Sequence, residues 1–218
     1  MKIVSLVTDA FGGSGGIALY NRDLLTALSN YSKTSKLVAI PRQIPNKPEE
    51  IPEKLRYYTD GVGGKLKYIK TIIRYLSGPN KIDLVLCGHI NLLPVAYLVS
   101  RWKKAPMIMM IYGIDAWENP NGLLTKILVK KVDMVISISA ITRDRFLLWS
   151  EYPKEKVHLL PNAIHTEKYG VAPKSKRYEK RYGVEGKKVI MTLGRMSSHE
   201  RYKGFDQVIE ILSDLFYN

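Results

Sequence analysis

A glycine-rich stretch, "DAFGGSGGIALY", is the first part of the sequence that could bind a ligand. Gly12, Gly13, Gly15 and Gly16 have no Cβ atom, so a ligand can come close to the backbone there. A helical pattern follows, and the N-terminus of a helix offers N–H groups and a positive dipole end to an anion. The spacing is not G-x-G-x-x-G, which disfavours a nicotinamide-dependent enzyme. An anion site and a tight strand-to-helix turn without a ligand both fit this pattern.

A histidine, His89, directly follows the apolar run "DLVLCG". In open parallel sheets, ligands bind at the carboxyl ends of the strands. His89 is therefore placed where its side chain could reach into a cleft. A histidine that caps the following helix is the alternative, and position alone does not separate the two.

The segment "YGIDAWE" follows the next apolar run. Asp115 and Glu118 could accept hydrogen bonds from hydroxyl groups, and Trp117 could offer an apolar face to a sugar ring. Because aspartate is also favoured at the N-terminus of a helix, capping of the helix that follows is the alternative.

Short apolar runs alternate with segments of helical periodicity along most of the chain. This alternation predicts an α/β fold with a Rossmann-like, doubly wound parallel sheet. After Asn162 the sequence becomes basic and polar, and a further strand, "KVIMTLG", and helix, "FDQVIEILSDLF", follow. We therefore predict a first Rossmann-like domain at 1–165, a linker at 166–186 and the first strand and helix of an incomplete second domain at 187–218.

The overall composition limits the class of partner. A formal net charge of +14 attracts phosphate groups, on nucleotides, lipids or nucleic acids. Nucleic-acid binding is disfavoured because the sequence has no zinc-ligand spacing, basic-helix array or RNA-recognition motif. The single cysteine, Cys87, lies in an apolar run, which predicts a buried and inert thiol in a reducing cytoplasm. No apolar run approaches the roughly 18 residues that span a bilayer.

One predicted helix, "KLKYIKTIIRYL", is both apolar and strongly basic. Its apolar residues share one face, and lysines and an arginine flank them. This pattern is typical of a helix that lies on an anionic membrane surface. An ordinary amphipathic helix that packs on the sheet is the alternative.

Six segments, taken in order, resemble the family 4 glycosyltransferases, which are retaining enzymes of the GT-B fold. They are "GGSGGIALY", "GHINLLP", "YGID", "VDMVISISAITRDRF", "VHLLPNAIHTEKY" and "LGRMSSHERYKGFDQVIEIL". The resemblance implies two Rossmann-like halves, of which the N-terminal one binds the acceptor and the C-terminal one binds a nucleotide-sugar donor. The family's second domain continues well past its first helix, so we expect this chain to be truncated there.

The resemblance also implies roles on the donor side. Arg195 and Lys203 match two cations that clamp the donor diphosphate, and fixed cations stabilise the charge that this leaving group gains. Because side chains supply that charge, we expect neither a metal ion nor another cofactor. Gly15 and Gly16 would lie near the phosphates or the transferred sugar, and His89 would contact the sugar as the catalytic residue.

On the acceptor side the chain departs from its relatives. Where many of them read His-Gly-x-Glu, this chain has Tyr112-Gly113-Ile114-Asp115. We expect Tyr112 and Asp115 to bind the acceptor.

The function implied is transfer of a sugar from a nucleotide sugar to a lipid-linked or polysaccharide acceptor. The enzyme would be cytoplasmic and peripheral on the inner membrane face. The alternative is a non-catalytic remnant or a partner-dependent acceptor-binding module, to which a second chain would supply the missing C-terminal half.

Overall fold

The computed structural model describes residues 1–48, 50–79, 81–120, 122–194 and 203–217. Two compact units make up the chain, Met1–Ile164 and His165–Asn218.

The first unit is built on a seven-stranded parallel sheet, which confirms the predicted α/β class. Its strand order is β3-β2-β1-β4-β5-β6-β7. The order reverses direction between β1 and β4, as in doubly wound sheets, and this is the point at which such sheets bind ligands. The strands are β1 Lys2–Val7, β2 Lys36–Pro41, β3 Leu55–Tyr57, β4 Leu84–Gly88, β5 Met107–Ile111, β6 Met134–Ser137 and β7 Val157–Leu159.

Eight α-helices lie in the described residues. They are α1 Gly16–Asn30, α2 Lys65–Leu76, α3 Leu93–Lys103, α4 Ile114–Trp117, α5 Gly122–Val129, α6 Ala140–Ser150, α7 Lys176–Tyr182 and α8 Phe205–Tyr217. Ser139 caps the start of α6, where its hydroxyl accepts a hydrogen bond from the N–H of Thr142 at 3.1 Å. Within the described ranges, no helix is long and apolar enough to cross a membrane.

The largest apolar cluster joins the strands to the helices α2, α3, α5 and α6. Phe146 lies at its α6 side, fully buried, with its ring edge-on to Trp149 at 5.3 Å between centroids. Cys87 is also buried, and burial raises the pKa of its thiol to about 12. The prediction of an inert cysteine is therefore supported, because the reactive thiolate is disfavoured.

Two strands differ from the sequence prediction. The short edge strand β3 was missed, because three residues are too few to show a periodic pattern. The strand predicted for "KVIMTLG" is not formed, since residues 187–194 have no regular secondary structure. A strand needs a neighbour to pair its backbone groups, and the described part of the second unit contains none. The predicted helix after it is present as α8.

Candidate functional site

The candidate site lies where β1, β4 and β5 end at the same edge of the sheet. Val7 pairs with Gly88 across β1 and β4, and Cys87 pairs with Met109 across β4 and β5. The glycine-rich loop, His89 and the segment Tyr112–Asp115 follow these three strands directly. The parallel sheet therefore brings together three motifs that are far apart in the sequence.

Two of the four glycines are needed by the fold. Gly12 has φ +114°, and a Cβ there would lie 2.6 Å from the carbonyl oxygen of Asn46. A Cβ on Gly13 would lie 2.0 Å from Oδ2 of Asp9 and 2.6 Å from Cβ of Ala18. A side chain at either position would force the loop to move, so a ligand is not required to explain these glycines.

The other two glycines are not needed by the fold. Gly15 is the N-cap of α1 with φ −83°, and Gly16 is its first residue. A Cβ on either would meet no atom within 4 Å, and both residues are exposed. Gly16 also lines a groove of about 340 Å³ between α1 and the segment 160–164. The backbone at the N-terminus of α1 is thus left open, as an approaching ligand would require.

A polar network built on Asn21 connects the three strand ends. The amide of Asn21, which is 1% exposed, donates to the carbonyl of Asp9 at 3.0 Å. The hydroxyl of Tyr112 donates to Oδ1 of Asn21 at 2.7 Å and also lies 3.2 Å from the carbonyl of Gly88. Asn21 was not predicted from the sequence as a site residue. An asparagine in the middle of a predicted helix was the available signal, because asparagine is unfavourable there without a specific partner.

Tyr112 has a structural position beneath the site. Its side chain is buried, and its hydroxyl is engaged by Asn21 and Gly88. Tyr20 of α1 packs edge-on against the Tyr112 ring at 5.5 Å. In this conformation Tyr112 fixes α1 against the sheet, and its role toward an acceptor stays a prediction.

His89 caps a short turn and projects from the end of β4. Its Nδ1 accepts a hydrogen bond from the N–H of Asn91 at 3.1 Å. Because Nδ1 is an acceptor, the proton of the neutral ring belongs on Nε2. Among the described residues, none accepts a hydrogen bond from Nε2. Capping and ligand contact, which the sequence left as alternatives, are therefore compatible, because the cap orients the ring and leaves one donor available.

Asp115 is the charged neighbour of His89. Its carboxylate accepts from the N–H of Tyr112 at 3.2 Å. Burial raises the pKa of Asp115, against the opposing effects of His89 and of backbone N–H groups. Burial likewise lowers the pKa of His89, and the Asp115 carboxylate partly opposes that shift. His89 is therefore a neutral hydrogen-bond donor at neutral pH.

These opposing effects predict how His89 titrates. In an NMR titration of the histidine ring, we expect a pKa for His89 below its ordinary value, because burial disfavours the charged ring. Replacing Asp115 with asparagine should lower this pKa further, because the carboxylate that stabilises the imidazolium is removed. A pKa that rises in Asp115→Asn would contradict this arrangement.

Trp117 is less accessible to a sugar ring than its position in the sequence suggested. The guanidinium of Arg145 lies 4.1 Å from the centre of its ring, and Nε1 donates to the hydroxyl of Thr142 at 3.4 Å. One face of the indole is thus covered within the protein. A sugar ring would have to use the other face.

The donor-side residues belong to the second unit. Arg195 lies in 195–202, outside the described residues. Lys203 is described and exposed, and it precedes Gly204 and the start of α8 at Phe205. Gly194 and Phe205 lie close together, since a Cβ built on Gly194 would lie 2.5 Å from the ring of Phe205. Among the residues that the structure covers, no group of three or more metal-binding side chains is found.

A comparison with known families settles the family. The model for Glycosyltransferase Family 4 matches residues 14–168. The chain belongs to this family. The match includes Gly15, Gly16, His89, Tyr112 and Asp115. In this family 4 chain, Arg195 and Lys203 lie beyond the matched segment, so their roles stay predictions.

Solved structures support the same fold. The Anabaena protein HepE, in its complex with UDP-glucose, superposes with a TM-score of 0.60 at 14% identity, over 85% of this chain and 50% of HepE. The lipopolysaccharide outer core galactosyltransferase WaaB gives 0.53 at 12% identity, over 75% of this chain and 46% of WaaB. The family 4 chain thus spans about half the length of these proteins. No curated protein matches it.

Proposed function

We propose that this chain takes part in retaining sugar transfer from a nucleotide sugar to a lipid-linked or polysaccharide acceptor. The observation that carries the proposal is the pair Gly15 and Gly16. Neither backbone strain nor packing requires glycine there, yet both lie at the N-terminus of α1 within the segment that matches the family. An exposed helix N-terminus without side chains suits a diphosphate or the sugar attached to it.

The proposed chemistry assigns one task to each group. The bond between the sugar and the diphosphate breaks, and the diphosphate gains negative charge that Arg195 and Lys203 neutralise. His89 donates a hydrogen bond from Nε2 to the sugar, in the orientation that Asn91 fixes. Asp115 and Tyr112 are proposed on the acceptor side. We propose no metal ion, because the two cations supply the charge that a metal would bring.

The structural relatives suggest which donors to test first. HepE was crystallised with UDP and with UDP-glucose, and WaaB is named as a galactosyltransferase. We therefore propose UDP-glucose and UDP-galactose as the first candidates. A cytoplasmic location agrees with the single buried cysteine and with a nucleotide-sugar substrate.

Calorimetry with Gly16→Asp tests the proposal. An aspartate in the first turn, where α1 has no acidic residue, interacts favourably with the helix dipole, so thermal stability should be kept or raised. The same charge repels a diphosphate, so we expect affinity for the nucleotide sugar to fall by at least about tenfold. Gly170→Asp is the matched control, because Gly170 is also exposed with no atom near its Cβ position.

The outcomes separate the parts of the proposal. Unchanged affinity in Gly16→Asp would remove the helix N-terminus from the donor site. Unchanged affinity in both Arg195→Ala and Lys203→Ala would remove the diphosphate clamp. If the chain binds no nucleotide sugar at all, the acceptor-binding module that depends on a second chain becomes the better explanation.

A further inference from the structure

Helix α2 is held on the sheet by one side only. Tyr68, Ile72 and Leu76 are buried, and the hydroxyl of Tyr68 donates to the carbonyl of Ile40 at 3.1 Å. These contacts bury one apolar face of α2 against the first unit. Other apolar residues of the helix remain exposed.

A second apolar stripe on α2 faces away from the core. Leu66, Ile69 and Ile73 are 77%, 39% and 51% exposed. Their spacing of three and four residues places them along one side of the helix. Single exposed aliphatic residues are ordinary on a protein surface. Three that line one side of a helix, whose core-facing residues are already buried, indicate an interaction surface.

A basic stripe runs beside the apolar one. Lys67, Lys70 and Arg74 have the same spacing and, with Asp60 and Thr71, line an open depression. Arg74 pairs with Asp60, whereas Lys67 and Lys70 have no ion-pair partner among the described residues. Helix α2 itself contains no acidic residue. The outer surface of α2 is thus half aliphatic and half cationic.

We propose that this outer surface of α2 docks the protein on an anionic phospholipid bilayer. The cations contact the phosphate headgroups, and Leu66, Ile69 and Ile73 enter the boundary between headgroups and acyl chains. A soluble anion or a nucleic acid would leave the aliphatic stripe unused. A two-fold contact between copies of α2 would bring like charges together. The proposal does not rest on sugar transfer, because it needs neither donor nor acceptor.

Sedimentation with vesicles tests the docking of the whole chain. We expect binding to vesicles of phosphatidylcholine with phosphatidylglycerol, and little to phosphatidylcholine alone. High salt should weaken binding by at least about tenfold, because it screens the attraction between the cations and the headgroups. Equal binding to both kinds of vesicle would overturn the proposal.

Two variants test the contributions of the apolar stripe and the basic stripe to vesicle binding separately. Replacing Leu66, Ile69 and Ile73 with glutamine should reduce binding about tenfold or more, since the apolar contact is lost. Replacing Lys67, Lys70 and Arg74 with glutamine should have a similar effect. Neither set is buried, so circular dichroism should show an unchanged fold.

Matched controls exclude general effects of charge and hydrophobicity. Leu98→Gln with Trp102→Gln removes two exposed apolar side chains from α3, and Lys176, Arg177 and Lys180→Gln removes three exposed cations from α7. Both controls should bind vesicles as the natural chain does. An equal loss of binding in the α7 control would assign the effect to net charge and overturn the proposal. A concentration-dependent dimer that the α2 variants abolish would assign the surface to a second copy instead.

Discussion

Replacing Phe146 with alanine is expected to lower the free energy of unfolding by about 3–5 kcal/mol, the usual cost of removing a buried phenylalanine. Phe146 is fully buried in the largest apolar cluster. Its ring packs edge-on to Trp149 and lies 6.0 Å from Tyr152, so the substitution leaves a cavity lined by two large aromatic rings. Trp149 donates to the carbonyl of Ala116 and Tyr152 to that of Val132, and these hydrogen bonds oppose movement of the rings into the cavity. Urea denaturation followed by near-ultraviolet circular dichroism measures the change.

Leu148→Ala is the control for this prediction. Leu148 lies on the same helix but is 85% exposed, so its truncation should change the stability by no more than about 0.5 kcal/mol. A loss below about 1 kcal/mol for Phe146→Ala would mean that α6 does not pack on the sheet as described.

The second large effect is expected for His89→Asn in sugar transfer. Oδ1 of asparagine can replace Nδ1 as the acceptor for the N–H of Asn91, so the turn after β4 should keep its structure. The donor at Nε2 is lost, and with it the hydrogen bond proposed to the sugar. Loss of one well-placed donor of this kind costs about a 100- to 1000-fold decrease in rate. The rate is measured as release of the nucleoside diphosphate. The donor in this assay is the nucleotide sugar that binds in calorimetry.

His158→Asn provides the matched control, because His158 is an exposed residue of β7. It should transfer sugar at the rate of the natural chain. Full activity in His89→Asn would show that His89 only caps the turn. Thermal denaturation of His89→Asn tests whether a loss of activity comes from unfolding. The melting temperature of this variant should remain close to that of the natural chain.

The sequence was sufficient where local interactions decide the structure. Helix α6 begins directly after Ser139, a residue type favoured at helix N-caps, and the structure shows its capping bond to Thr142. The longer apolar runs of the first unit were predicted as strands, and they form the parallel sheet. Strand β3 could not be found in this way, because its place at the edge depends on pairing with β2 rather than on its own three residues.

The candidate site was only partly predictable. The sequence located His89 at a strand end but could not decide between a cap and a ligand contact, and the structure shows the cap together with an available Nε2. The local sequence did not separate the four glycines, and only the resemblance to the family 4 glycosyltransferases pointed to Gly15 and Gly16. Their difference depends on Asn46 and Ala18, which approach Gly12 and Gly13 in space but give no sign of this in the local sequence.

By itself, the sequence determined the class of fold, the helices α2 and α8 and a net charge of +14, because composition and periodicity can be read from the chain without its tertiary contacts. Only the tertiary structure showed that Gly15 and Gly16 leave the N-terminus of α1 open and that the hydroxyl of Tyr112 is hydrogen-bonded inside the protein. Asn21 and Tyr112 are 91 residues apart, and they meet because α1 packs against the end of β5, where Tyr20 contacts the Tyr112 ring. Contacts of this kind follow from how the strands assemble, and no short segment contains that information.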